Sequence, residues 1–414
     1  MHRPSLLLLL VILLASILFV REPRLQQYDE NFLRWLIKNS QPSGAAAPLT
    51  VVDLGTGALL QPDEGETNPT EQFLRGSSKT ISPLEFALFL QAALEFKPTV
   101  IAFEPVLRWR ERDKDQEQVF LDQAMRVPKL LLGAELTATP DPDMPVPEVS
   151  GFAHVTGRRG DLTEFSGIGR QPDEDVRLIS TLGFVNLPEE AASDLHVPLL
   201  FEYRGEVIPS FALQAALLWW RISPAEVKID IGSFISLPNG KQIPIRSDGT
   251  ALINPNATRL ARHLSANELL LAAQQHEKKM ATTAHVENLR DQIVLARTPG
   301  DVHASDVFAA TIATIQSDSF VRRVSWIFDC IFIVVLAAIS GIIRKFSRVD
   351  LILAAIAITA AYCLIALGIL SRWSIWLPGV LPLGAVWLIA LFCLFAPRRK
   401  DDPDLPAVAP PPLA

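Results

Sequence analysis

Cysteine is nearly absent: the chain has 3 among 414 residues, Cys330, Cys363 and Cys393, all inside apolar runs near the C-terminal end. The segment from Arg21 to Arg322 has none, so it uses neither disulfide staples nor thiolate metal ligands. A basic surplus is missing as well. The formal net charge is -7, and no stripe of Lys and Arg interleaves with aromatics, which argues against nucleic acid as a partner. H-E-x-x-H, C-x-x-C, G-x-S-x-G and a phosphate-cradling glycine loop do not occur in this segment. Their absence removes the usual signals for zinc, redox, serine-nucleophile and nucleotide chemistry. Gly55-Thr56-Gly57 alone is too little to imply a nucleotide. The expectation is therefore no enzyme, with no catalytic residues, no metal and no cofactor.

Long apolar runs are also missing from the middle of the chain, and they are present at its ends. LLLLLVILLASILFV runs from Leu6 to Val20, and three more runs fall between Val324 and Ala396. As a helix, Ser5 to Val20 would span roughly 24 Å, short of a bilayer core of about 30 Å. The run nevertheless continues into FVREPRL, which offers no small-x-small cleavage pattern, so it reads as a retained anchor rather than a signal peptide. Leu351 to Leu370 is the cleanest C-terminal span and carries no charge. Val324 to Ile343 contains Asp329, an acid inside a span and so a candidate by position. The nearby Trp326 gives the alternative of an interfacial site. Trp373 to Ala396 contains Pro378 and Pro382, which fit best near the start of that span, where the lost backbone donors cost least.

Charge orients the spans. Arg344, Lys345 and Arg348 follow the second, Arg398, Arg399 and Lys400 follow the fourth, and the loop between the third and fourth carries only Arg372. Lys/Arg excess marks the cytoplasmic side, so both termini are expected inside and the middle segment outside. The domain plan is thus an anchor at 1–20, an extracytoplasmic domain at 21–322, a three-helix membrane bundle at 323–396 and a proline-rich cytoplasmic tail at 397–414. That tail is too short to fold into a kinase or cyclase.

The middle segment alternates strand and helix signals. LTVVDL (Leu49–Leu54), TVIAF (Thr99–Phe103) and KLLLGAE (Lys129–Glu135) read as buried strands. Ser82-Pro83 opens an amphipathic helix, LEFALFLQAALEF, and Gln116 to Arg126 forms another. Thr67 to Thr80 and the proline-rich Thr137 to Glu148 read as loops. Leu182–Asn186, Leu199–Tyr203 and Val207–Ile208 follow as strands, the last two joined by a turn at Arg204-Gly205. Phe211–Arg221 is helical, and Val227–Ile231, Phe234–Leu237 and Ala251–Asn254 are short strands with turns at Asn239-Gly240 and Asp248-Gly249. A capping box at Ser265 and Glu268, a strand at Gln292–Ala296 and a helix at Ala304–Gln316 close the domain. Such alternation implies an α/β fold, a mainly parallel or mixed sheet flanked by helices, beside the four α-helical transmembrane segments.

Several segments together resemble a known family. They are SPLEFALFLQAALEFKPTVIAFEP, GFVNLP (Gly183–Pro188), VPLLFEYRGEVIPSFALQAAL (Val197–Leu217), DGTALIN (Asp248–Asn254), RDQIVLA and DVHASDVFAATIATI. These resemble the helix–strand, G-F-x-N, strand–turn–Pro-Ser–helix, D-G-x-x-x-I-N and His-Ala blocks of the second type of CHASE domain. That module is an extracellular sensory domain associated with cyclases and histidine kinases, with one anchor before it and three spans after it. The resemblance covers Arg21 to Ala396. Two places depart from it: the closing strand runs into Ala296-Arg297-Thr298-Pro299-Gly300 rather than a G-A-T-A-like turn, and Asp194-Leu195-His196 replaces a basic pair.

Asp53 and Glu104 stand at the carboxyl ends of two expected parallel strands, the edge where open α/β sheets place ligands. Two carboxylates there suit a cation, an amine or acid/base work; the plainer alternative is that they cap a helix or pair with an Arg. His303, beside Asp301 and Asp306, opens the last helix and suits a pH-sensitive or metal-binding contact, or simply a packed cap. The expected ligand-binding set is Asp53, Glu104 and His303. The expected role is a bacterial inner-membrane sensor that takes a small-molecule or envelope ligand and signals through a separate cytoplasmic effector. The rival is a structural or assembly subunit of a membrane complex. The other partners considered are the membrane itself and a second copy in a homodimer.

Overall fold

Four strands in the middle of the chain are apolar on both faces, and that fixes where they lie. In a computed structural model describing residues 23–41, 46–54, 82–109, 113–140, 149–188, 195–280, 286, 289–297, 302–343 and 347–395, they form the centre of one sheet. The N-terminal run at 1–20, the loop at 67–80, the basic residues at 344–345 and 398–400 and the tail at 397–414 lie outside the described residues. The chain divides into two units, Gln41–Arg322 and a second made of the segments before and after it.

The Gln41–Arg322 unit is mixed α/β, with sheets flanked by helices. β1 (Leu49–Asp53), α2 (Pro83–Glu95), β2 (Val100–Phe103), α3 (Lys114–Ala124) and β3 (Leu130–Thr137) open it; α1 (Pro23–Asn39) belongs to the other unit. β4 (His154–Thr156), β5 (Glu164–Phe165), β6 (Gly167–Arg170), α4 (Glu174–Leu178), β7 (Thr181–Phe184), β8 (His196–Pro198), β9 (Leu200–Tyr203), β10 (Glu206–Pro209) and α5 (Phe211–Trp220) follow. The remainder is β11 (Lys228–Asp230), β12 (Phe234–Ser236), β13 (Gln242–Pro244), β14 (Thr250–Leu252), β15 (Arg262–Ser265), α6 (Ala266–Glu277), β16 (Ile293–Arg297) and α7 (Val302–Ser317). The main sheet runs β15-β1-β16-β2-β3, all parallel, with β7 parallel and β6 antiparallel to β3.

Side-chain alternation along those strands builds two cores. Val52, Ile101, Phe103, Leu132 and Val294 face α2, α3 and α6, where Phe86, Phe89, Phe120 and Leu269 fill the space between. Leu49, Val51, Val100, Ala102, Leu131 and Leu295 face α5 and α7, packing on Phe211, Ala215, Phe308 and Ile312. Fully burying one such large side chain contributes about 1.5–3 kcal/mol, and burial on both faces explains why these strands read as continuous apolar runs. Capping boxes start α2 at Ser82 with Glu85 and α6 at Ser265 with Glu268; the spacing announced the second, and for the first it announced the Ser82 cap and Pro83. β9 and β10 pair through a two-residue turn in which Arg204 (φ 52°) and Gly205 (φ 81°) are both left-handed. A smaller β-rich layer, β13-β12-β11-β4, packs its own core around Leu217, Ile229, Ile235 and Ile243.

The other unit contains α1, α8 (Trp326–Ile343), α9 (Arg348–Trp373) and α10 (Val380–Phe395). Ile333, Leu336, Ala355, Val386 and Ile389 form its core. Among the described residues one helix, α9, is long and apolar enough to cross a membrane; the apolar stretches Ile327–Leu336 and Val380–Phe392 of α8 and α10 are shorter. Pro378 precedes α10 and Pro382 lies in its first turn, where a missing backbone donor is cheapest.

Candidate functional site

Parallel strands bring their carboxyl ends to one edge, so the ends of β1, β16 and β2 lie side by side. Asp53 closes β1 and is in register with Arg297 of β16 and with Ser265, the N-cap of α6. Glu104 follows β2 directly, and its N–H donates to the Ala296 carbonyl of β16 at 3.1 Å. Asp53 and Glu104 therefore share the edge, one strand apart on either side of Arg297. Neighbouring strands are about 4.8 Å apart, so the two backbones are separated by roughly 10 Å. His303 stands in the first turn of α7, the helix that follows β16; its side chain lies outside the described residues, as do those of Asp301 and Asp306.

The edge already holds a cation. The Arg297 guanidinium donates from Nε to Asp53 Oδ1, with side-chain exposures of 16% and 27%, so the pair is substantially withdrawn from water. This is the plainer of the two arrangements open to Asp53. Glu104 is positioned by backbone packing: a Cβ on Gly133 of β3 would lie 2.2 Å from the Glu104 carbonyl oxygen, so only glycine lets β3 pass there.

A second polar cluster sits inside the helical unit, assembled from residues far apart along the chain. Asp29 of α1 is 4% exposed and accepts three hydrogen bonds. Gly379 N–H (3.0 Å) and Val380 N–H (2.9 Å) donate to Oδ1 at the start of α10, and Arg323 Nη2 donates to Oδ2 at 3.1 Å. Burial pushes the Asp29 carboxyl above the ordinary Asp range, while the Val380 N–H, Arg323 and the Gly379 N–H pull it back. The Arg323 guanidinium also lies 5.2 Å from the centre of the Trp376 ring. Asp329 of α8, within electrostatic reach of Arg323 and Asp29, is only 2% exposed. Neither of its carboxylate oxygens has a hydrogen-bond partner among the described residues. Tyr362 of α9 donates its hydroxyl to the Pro378 carbonyl and packs its ring on Phe332. Asp329 is thus enclosed rather than set at an exposed rim. Asp29 was missed because it falls in the stretch expected to belong to the outer domain; the signal available was an acid on the apolar side of an amphipathic helix, between Leu25 and Leu33.

No family model, no curated protein and no solved structure matches the chain, so the resemblance to the type-2 CHASE domain rests on the quoted segments alone.

Proposed function

We propose that the protein is a membrane-held sensor of the bacterial inner membrane, whose α/β unit takes a small-molecule or envelope ligand outside the cytoplasm and signals through a separate partner. The observation that carries this reading is an apolar belt on the helical unit. Ile327, Ile331 and Val335 of α8, Leu353, Leu364 and Ile365 of α9 and Leu388 and Leu391 of α10 are 47–70% exposed. Water would penalise such a surface, whereas hydrocarbon accepts it, and exposed apolar patches of this extent mark a membrane or a partner. The chain leaves this unit at Ser40 and returns to it at Arg323, so the α/β unit is tethered at both ends. The segment resemblance to a sensory family and the position of Asp53 and Glu104 at the carboxyl ends of neighbouring parallel strands support sensing. All four spans, both termini inside and the periplasmic placement of the domain belong to this proposal.

Reporter fusions test it. A fusion after Lys400 is expected to behave as cytoplasmic, and fusions within 140–160 as periplasmic. A cytoplasmic result for the 140–160 fusions removes the sensor reading. The Asp53–Arg297 bond favours a second reading, a structural or assembly subunit, because an edge satisfied by its own ion pair needs no ligand. Affinity purification of the intact protein in mild detergent separates the two: a kinase, cyclase or phosphatase partner supports sensing, and envelope-assembly proteins support the structural role.

A further inference from the structure

We infer that the Asp329 carboxyl is a proton-binding site inside the helical unit, and that its protonation state acts on the bond between Arg323 and Asp29. The inference concerns this unit alone and does not depend on the sensor reading.

Hydrogen-bond donors are unevenly shared between the two acids. Asp29 has three: two backbone N–H groups and Arg323. Asp329, 2% exposed, has none among the described residues. Fully ionised, the cluster would carry two carboxylates against one guanidinium. An uncompensated buried carboxylate costs several kcal/mol, so a positive charge is needed to complete the site. A basic side chain from a partner is excluded by burial, since Asp329 offers no surface to reach. A small metal cation is disfavoured by ligand count. Hard cations take about six oxygens, yet no group of three or more His, Cys, Asp or Glu able to hold a metal occurs among the described residues. Tyr362 and Pro378 are bonded to each other, and both Asp29 oxygens are engaged. A proton needs only one oxygen.

The groups around Asp329 define what that proton does. Asp29 comes from α1, Arg323 from the segment ahead of α8, and Tyr362 with the neighbouring Cys363 from α9. Cys330 follows on α8 itself, and α10 contributes no titratable side chain among the described ones. With the proton, Asp329 is a neutral O–H donor, and Arg323 answers to Asp29 alone. Without it, a second negative charge competes for Arg323 and repels Asp29, the residue that ties α1 to the start of α10.

Infrared spectroscopy of the full-length protein in detergent micelles tests this between about pH 5 and about pH 8. The wild type, grown with and without carboxyl-labelled aspartate, is expected to show a protonated carboxylic-acid C=O band that shifts with the label at the acid end of that range and weakens toward its alkaline end. The band should vanish in Asp329→Asn, persist in Asp29→Asn and be indifferent to replacing sodium by choline. In Asp329→Glu it should remain but lose its sensitivity to the aspartate label. A wild type with no label-sensitive acid band overturns the inference without recourse to any variant. So does a band that survives in Asp329→Asn, or one that grows when sodium is removed, which would mark a cation site instead.

Discussion

Gly133→Ala is the most informative single change at the sheet edge, because its cost can be worked from one distance. The added Cβ would stand 2.2 Å from the Glu104 carbonyl oxygen, 3.1 Å from its carbonyl carbon and 3.2 Å from Val185 Cγ1. An ordinary contact needs more than about 3.3 Å, and the obstacle is backbone rather than a side-chain tip, so β2 and β3 must part by roughly 1 Å. The register pairs Ile101 with Leu130, Ala102 with Leu131 and Phe103 with Leu132, and all six residues are buried, so this movement disturbs the sheet at its core. Overpacking with the loss of one or two ladder bonds costs about 2–4 kcal/mol. Since 1.4 kcal/mol is tenfold, amide protection on β2 and β3 should fall roughly 30- to 700-fold. Hydrogen exchange read by mass spectrometry on the intact protein resolves this strand by strand. Gly160→Ala is the control, because a Cβ there meets nothing closer than Arg158 Nε at 3.8 Å. If Gly133→Ala keeps β2 and β3 protection within threefold of the wild type, the packing argument is wrong.

Three further outcomes are expected. A double-mutant cycle on Asp53→Asn and Arg297→Met should give a coupling of about 1–2 kcal/mol in the protection of β1 and β16, between exposed and fully buried ion pairs; a value near zero would leave Asp53 free for another partner. Leu364→Arg, on the most exposed apolar position of α9, should cost about 2.5–3.5 kcal/mol of insertion and release part of the protein from membranes on alkaline extraction; unchanged retention would mean that this face does not meet lipid. Burial holds the Glu85 carboxyl above its ordinary value, so its contribution to stability is fully present below that value and declines as pH rises through the folded one. Glu85→Gln should therefore gain on the wild type in thermal melts between about pH 4 and about pH 7, and a falling difference would reverse the sign.

The α/β sheet was legible because its strands obey rules that a sequence carries locally. LTVVD, VIAF and IVLAR are apolar on both faces, and Ser82-Pro83 and Ser265 with Glu268 announce their helices by spacing alone. What stayed hidden depends on neighbours far along the chain. Arg262–Ser265 carries two polar residues and one apolar residue before Ser265, and it becomes a strand only because β1 offers it a parallel partner. His154–Thr156 and Glu164–Phe165 are likewise too short and too exposed to have a period of their own; β11 and β9 supply their pairing.

The candidate sites show the same division. Asp53 and Glu104 could be placed on one edge from strand direction alone, but Arg297 lies 244 positions after Asp53, and only the adjacency of β1 and β16 makes it the partner. In the helical unit, Asp29 and Arg323 are 294 positions apart, and Gly379 is farther still. A span-by-span reading treats Asp329 as a lone acid and can weigh it only against Trp326 nearby. Once α1 joins the bundle, the relevant comparison is between two buried acids beside one guanidinium, Asp29 with three donors and Asp329 with none among the described residues. That asymmetry, rather than the presence of an acid in an apolar helix, is what makes Asp329 a site.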